Sequence, residues 1–211
     1  MEFFVDFSAN AAPAFEGRGG EELSLQISTV LAQAYDFPGC LDLRALCLIP
    51  GQSCWVIHVD ILLLQCGGNL LDAVSIAVKA AIFNTKLPRV TVTKSEQGGN
   101  ELEISDDPYD SQHIDVKLVP VLVTLNKVGQ GHIVDATMSE EACSLARLFV
   151  SVTHDGFVTY MRKAGGGSLD PESVQEIIES GKKIGLSLNT SLIQTLKQEQ
   201  AEDVKALGFL K

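Results

Sequence analysis

Clustered positive charge is what this sequence most lacks. Lys and Arg number 16 against 27 Asp and Glu, a net charge of −11. Phosphate contacts need grouped cations, so this balance argues against a free-standing nucleic-acid binder. It leaves room only for a minority wall of a channel whose positive charge comes from partners. A cysteine framework is missing too. Cys40, Cys47, Cys54, Cys66 and Cys143 are odd in number and form no Cys-x-x-Cys pair, which argues against structural disulfides or a zinc ribbon. Four of them lie in apolar, strand-like runs, which predicts buried core thiols rather than metal ligands, and a reducing compartment. Long apolar runs are absent, because His58, Asp60 and Gln65 interrupt the longest, so no membrane span is expected. No basic region or cleavage site follows Met1, and the chain is expected to be soluble and intracellular.

What is present is an ordinary globular composition, 45% hydrophobic and 20% charged over 211 residues. Glu2 to Phe7 alternates as a strand, and Ala9 to Gly20 is small-residue loop. Leu23, Ile27, Val30, Leu31 and Ala34 recur at helical spacing up to Asp36-Phe37-Pro38-Gly39. Leu41 to Ile49 and Ser53 to Gln65 form a hairpin about Pro50-Gly51, the second strand apolar enough to be central. Gly67-Gly68 breaks that strand, Asn69 is placed to cap, and a helix runs to about Phe83. Its only polar positions, Asp72, Ser75 and Lys79, form a narrow stripe, so the helix is buried on most sides.

Short strands are expected at Arg89 to Lys94 and Glu101 to Ser105, around the loop Gln97-Gly98-Gly99-Asn100, and again at Ile114 to Asn126 and Gly131 to Val134. Thr137-x-x-Glu140 is a capping box. Ala146 to Val152 and Gly156 to Met161 form a hairpin through His154-Asp155-Gly156. Gly165-Gly166-Gly167 reads as a flexible joint, and Asp170-Pro171 starts a long helix with Val174, Ile177, Ile178, Ile184, Leu188, Leu192 and Leu196 on its apolar stripe. From Gln198 to Lys211 the pattern is lost and a frayed tail is expected. The order of elements specifies an α+β protein with helices laid on mixed sheets. Its first strand has no preceding element to pair with, an edge liability that suggests a missing N-terminal segment.

Chemistry has few places to sit. Gly67-Gly68 opens onto a helix start, which could receive an anion, yet Asn69-Leu70-Leu71-Asp72 supplies no Lys or Arg; tight strand–helix packing is favoured. Asp135, Glu140 and Glu141 could work as acid and base, but Glu140 belongs to the capping box and Glu141 to a first turn, where acids are favoured anyway. His58, His113, His132 and His154 lack metal-ligand spacing, and His58 reads as a hydrogen-bonded core residue. The triple glycine is not followed by Lys-Ser/Thr, so it is no nucleotide loop.

The runs Trp55-Val56-Ile57-His58-Val59-Asp60, Cys66-Gly67-Gly68-Asn69-Leu70-Leu71-Asp72-Ala73 and Ala80-Ala81-Ile82-Phe83-Asn84-Thr85 resemble the RNase PH family. So do Phe15-Glu16-Gly17-Arg18-Gly19-Gly20, Asp106-Asp107-Pro108-Tyr109-Asp110, Val134-Asp135-Ala136-Thr137, Glu140-Glu141-Ala142 and Gly167-Ser168-Leu169-Asp170-Pro171. Within the family they look like exosome ring subunits of the ribosomal RNA-processing protein 42 type, in an animal form. The resemblance implies a ribosomal protein S5 domain 2-like fold over residues 1–197, lacking its N-terminal strands through truncation or an alternative start, with a tail at 198–211.

It also implies a six-membered ring of RNase PH-like subunits with RNA-binding cap subunits and single-stranded RNA in the channel, no cofactor, no metal and no membrane. The implied setting is nucleus, nucleolus and cytoplasm, in rRNA processing and RNA degradation. Active members read Gly-Thr-Arg where this chain has Gly68, Asn69 and Leu70, and the arginine holds the attacking phosphate. Losing such a contact costs roughly 3–4 kcal/mol of transition-state stabilisation. The resemblance therefore implies a non-catalytic subunit with a degenerate phosphate loop, Gly67 to Leu70, and residual acids Asp135 and Glu141. Arg18 is its candidate RNA contact, while Gln33 stands where relatives often carry arginine. Two other readings are an active phosphate-dependent 3′–5′ exoribonuclease, kept open by the two acids, and a metal- or thiol-dependent protein using the cysteines.

Overall fold

The computed structural model describes residues 1–8, 11, 15, 18–94, 100–107 and 109–208, with the side chains of Arg18 and of 202–208 excepted. The elements in chain order are β1 (Glu2–Phe7), α1 (Arg18–Tyr35), β2 (Cys47–Ile49), β3 (Ser53–Cys54), β4 (His58–Leu63) and α2 (Leu70–Asn84). Then come β5 (Lys86–Pro88), β6 (Val90–Lys94), β7 (Asn100–Ile104), β8 (Ser111–His113), β9 (Val121–Val128) and β10 (Gly131–Val134). The chain continues with α3 (Met138–Cys143), β11 (Ala146–Val152), β12 (Val158–Ala164) and α4 (Pro171–Gly208). The α+β expectation holds. An antiparallel sheet ordered β10-β9-β11-β12 forms the floor, β1 and β4 pair in parallel, and β2-β3, β5-β8 and β6-β7 are small two-stranded units.

Two apolar cores flank the four-stranded sheet. On one face Leu122 and Phe149 meet α1 (Ile27, Leu31) and α2 (Val74, Val78), which are covered in turn by Val5, Val59 and Ile61 of β1 and β4. On the other face Val123, Leu125 and Val150 meet Ile177 of α4. Strict alternation along β9 makes this possible, since successive residues point to opposite faces.

α4 packs through small residues, a feature absent from the expected apolar stripe. At Gly181 and Gly185 there is no room for a side chain, and a Cβ on Gly185 would lie 2.7 Å from Cβ of Val152. Gly185→Ala is therefore expected to destabilise the fold by about 1–3 kcal/mol through overpacking, despite alanine's better helix propensity. A lowered urea midpoint at unchanged m-value would register it.

Several expectations change. The strand expected to be central, Ser53 to Gln65, is broken into β3 and β4; β4 pairs only with β1 among the described residues and leaves Leu62 exposed. Apolar content alone does not say how many faces of a strand are covered. His58 is not a core residue: it is exposed, stacks on Phe4 and lies 3.2 Å from the Glu2 carboxylate. Gly165 to Gly167 is no free joint, because the Gly167 amide donates to the Leu145 carbonyl at 2.7 Å and a Cβ there would strike the same oxygen. α4 runs on to Gly208, past the expected start of fraying at Gln198. Of the cysteines only Cys40 is buried, Cys66 is half-buried, and Cys47, Cys54 and Cys143 are exposed. The loop 97–99, Pro108 and much of 9–17 lie outside the described residues.

Candidate functional site

The polar stripe of α2 turns inward. Asp72, Ser75 and Lys79 are all buried, and each meets a group at the β9 side. Asp72 accepts from the Thr124 amide at 2.8 Å and from its hydroxyl at 2.6 Å. The Ser75 hydroxyl accepts from the Leu122 amide at 2.9 Å. Lys79 Nζ donates to the Val119 carbonyl at 2.5 Å and to Asn189 Oδ1 at 2.6 Å, and Asn189 Nδ2 donates on to the carbonyls of Val152 and Gly185. A buried polar group must be paired, so these bonds fix the angle and depth at which α2 enters the sheet. Burial pushes the Asp72 carboxyl up to about 6, against the opposing pull of its two Thr124 bonds.

That docking aims the start of α2 at the turn between β10 and α3. Gly68 has φ +114°, and a Cβ on it would sit 2.8 Å from the Met138 amide nitrogen and closer still to the Ala136 carbonyl oxygen. The Met138 amide donates to the Gly67 carbonyl at 3.3 Å. Gly68 is thus a packing device, but against the β10–α3 turn and not between strand and helix, while a Cβ on Gly67 would meet nothing within 4 Å.

Asn69 is in the left-handed region, φ 49°, and makes no side-chain cap. Its amide side chain donates to Asp135 Oδ1 at 3.1 Å, and its backbone N–H donates to Glu141 Oε1 at 2.9 Å. Asp135 also has positive φ, 55°. The structure therefore brings Asp135, Glu141, Gly67, Gly68, Asn69 and Leu70 into one place. Glu140 stands apart in the capping box: its Oε2 accepts the Thr137 N–H at 2.8 Å, and these bonds hold its carboxyl below the ordinary range.

A cavity of about 670 Å³ opens beside this junction, between α1, the start of α2, α3, β11 and β12. Leu70 lines it together with Leu23, Ile27 and Phe149. Three cations lie on its wall: Arg147, which faces Glu141 at 3.8 Å, Lys163, which donates to the Gly165 carbonyl at 2.9 Å, and Arg162. Gln33 lies elsewhere and accepts from the Tyr160 hydroxyl at 2.8 Å. The Arg18 side chain is outside the described residues. Sequence reasoning missed Arg147 and Thr124. Arg147 had a signal, as the sole charge in the strand Ala146-Arg147-Leu148-Phe149-Val150; Thr124 had none. Among the described residues no group of three or more His, Cys, Asp or Glu could hold a metal.

A four-stranded sheet and a parallel strand pair around a helix start, with Asn69, Leu70 and Glu141 on the cavity wall and Asp135 bonded to Asn69, define a ribonuclease-PH-type architecture. The model of the 3′ exoribonuclease family, domain 1, matches residues 1–88, and that of domain 2 matches residues 119–184. An exosome complex component Rrp42 of Sulfurisphaera tokodaii is 31% identical over 92% of this chain and 67% of its own length. One of Thermococcus kodakarensis is 31% identical over 91% and 68%. A solved Archaeoglobus fulgidus exosome with RNA bound to the active site contains a chain that aligns with TM-score 0.70 and 27% identity over 89% of this chain and 68% of that one. The chain belongs to the RNase PH family of 3′ exoribonucleases, among relatives named Rrp42 exosome components.

Proposed function

We propose that this chain is a non-catalytic subunit of an RNA exosome core ring, supporting 3′–5′ RNA processing and degradation, rRNA maturation included. The observation that carries the reading is Leu70. An isobutyl group lines the cavity at the start of α2, where the resemblance calls for the phosphate-holding arginine. The two acids are occupied as well: Asp135 holds the Asn69 side chain, and Glu141 binds the Asn69 backbone and faces Arg147. Carboxylates held in this way pin the turn and do not replace a lost phosphate grip.

The same reading extends to RNase PH-like neighbours, RNA-binding cap subunits, single-stranded RNA in the channel with Arg18 as a contact, and work in nucleus, nucleolus and cytoplasm. Co-purification with tagged ring and cap subunits from fractionated cells tests the partners and compartments together; capture of neither kind of subunit would remove the assignment.

The alternative is a phosphate-dependent exoribonuclease, favoured by the survival of Asp135 and Glu141 beside the glycine turn. Asp135→Asn separates the two, because asparagine keeps an acceptor for Asn69 and tolerates positive φ. The expected result is an assembled ring whose phosphate-dependent release of nucleoside diphosphates from single-stranded RNA is unchanged. A loss of about 10²-fold, the scale of removing one catalytic electrostatic group, would instead make this subunit an enzyme.

A further inference from the structure

We propose that Cys47 and Cys54 are a redox-modifiable pair that closes into a reversible cross-strand disulfide. The two residues are direct partners in the antiparallel β2–β3 ladder. The next pair inward is Leu46 and Trp55, and there the Trp55 amide donates to the Leu46 carbonyl at 2.8 Å. Bonded and non-bonded pairs alternate along an antiparallel ladder, so Cys47 and Cys54 form a non-hydrogen-bonded pair. The Cys47 amide agrees, since it donates to the Arg44 carbonyl at 3.2 Å and not across the strands.

In such pairs the Cα atoms stand about 4.5 Å apart and the side chains are at their closest, within the separation of about 4.4–6.8 Å that a disulfide spans. The two thiols share one face. Leu46 is buried and Trp55 packs against the core, so alternation turns both cysteines toward solvent, and both are exposed. The hairpin is held ready by its turn: Pro50 and Gly51 take the central positions, Gly51 at φ +74°, and the Gln52 amide donates to the Ile49 carbonyl at 3.0 Å.

The other cysteines do not compete for this geometry. Cys40 is buried, Cys66 follows β4, and Cys143 is on α3. With hydrogen peroxide as oxidant, one thiolate attacks an oxygen and expels hydroxide, leaving a sulfenic acid; the second thiolate attacks that sulfur and expels hydroxide again. Two thiols and one peroxide become one disulfide and two waters, the sulfurs losing two electrons and the peroxide gaining them. Both sulfurs lie at the surface, and an exposed disulfide is open to reduction by cellular thiols. In a reducing compartment the pair would thus be a transient mark of oxidation.

The test treats the full chain with hydrogen peroxide, then iodoacetamide, then trypsin. Cleavage after Arg44 and Lys79 yields one peptide that holds Cys47, Cys54 and Cys66. The expected product lacks two hydrogens and carries a single alkyl group, located at Cys66 by fragmentation; dithiothreitol before alkylation restores three. Cys66→Ser keeps the loss of two hydrogens, while Cys47→Ser and Cys54→Ser each abolish it. Closure is expected to be about tenfold faster in the folded chain than in urea, because the ladder holds the sulfurs oriented. A bridge to Cys66, separate sulfinic acids at Cys47 and Cys54, three free thiols once Cys143 is oxidised, or equal rates in urea would each overturn the proposal.

Discussion

Gly68→Ala is expected to cost this fold about 4 kcal/mol, enough to leave little stability in a typical domain. Two effects combine. A φ of +114° lies outside the region alanine adopts, at about 1–3 kcal/mol, and the new methyl meets backbone atoms of the β10–α3 turn that cannot rotate away, at about 1–3 kcal/mol more. Relief would come only by separating Asn69 from Asp135 and Glu141, so the loss of stability and the opening of the site are one event. Urea unfolding measures the first. Faster hydrogen exchange at the Asn69 amide, which donates to Glu141, measures the second. Gly67→Ala is the control: its Cβ would meet nothing within 4 Å, and a change within about 1 kcal/mol is expected.

The second large effect concerns pH. Burial lowers the Lys79 ammonium from 10.5 to about 8, with no carboxylate among its hydrogen-bond partners to hold the charge. Between about pH 8 and 10.5 the folded chain binds fewer protons than the unfolded chain, so stability rises with pH by up to about 1.4 kcal/mol per unit.

Cys40 and Tyr35 act in the opposite sense. Burial pushes the Cys40 thiol from 9.0 up to about 11 and the Tyr35 phenol well above its ordinary value. Above pH 9 the folded chain therefore keeps protons that the unfolded chain has lost, and stability falls. Wild-type stability is expected to peak between about pH 9 and 10, about 1 kcal/mol above its value at pH 7. Lys79→Met removes the rising limb and leaves only the decline. Urea titrations at half-unit steps from pH 7 to 11 measure both profiles, and a rise surviving in Lys79→Met would assign it to another group.

These two residues also mark how far the sequence could be read. The resemblance located Gly68 and Leu70, and the residues alone suggested tight packing at the glycines. Nothing in the chain named the β10–α3 turn as the partner, because a contact across some 70 positions leaves no local trace. Lys79 was legible as part of a polar stripe on α2. Its direction was not, since helical periodicity reports which residues share a face and not what that face meets. The cysteines fail for the same reason: Cys47 and Cys54 sit in apolar runs, yet alternation on the hairpin turns them outward.

By itself, then, the sequence determined the four helices and the main strands between them (but not the break between β3 and β4 or the short strands β5 and β8), the α+β class, the family, and the absence of an arginine at the start of α2. These are local matters of period, turn chemistry and residue identity. Only the tertiary structure decided that Asp135 and Glu141 converge on Asn69, that the polar stripe of α2 is buried against β9, and that two cysteines face each other across a ladder. Each of these depends on registry between distant segments, which is set by side chains fitting together in the folded chain and is written in no single stretch of it.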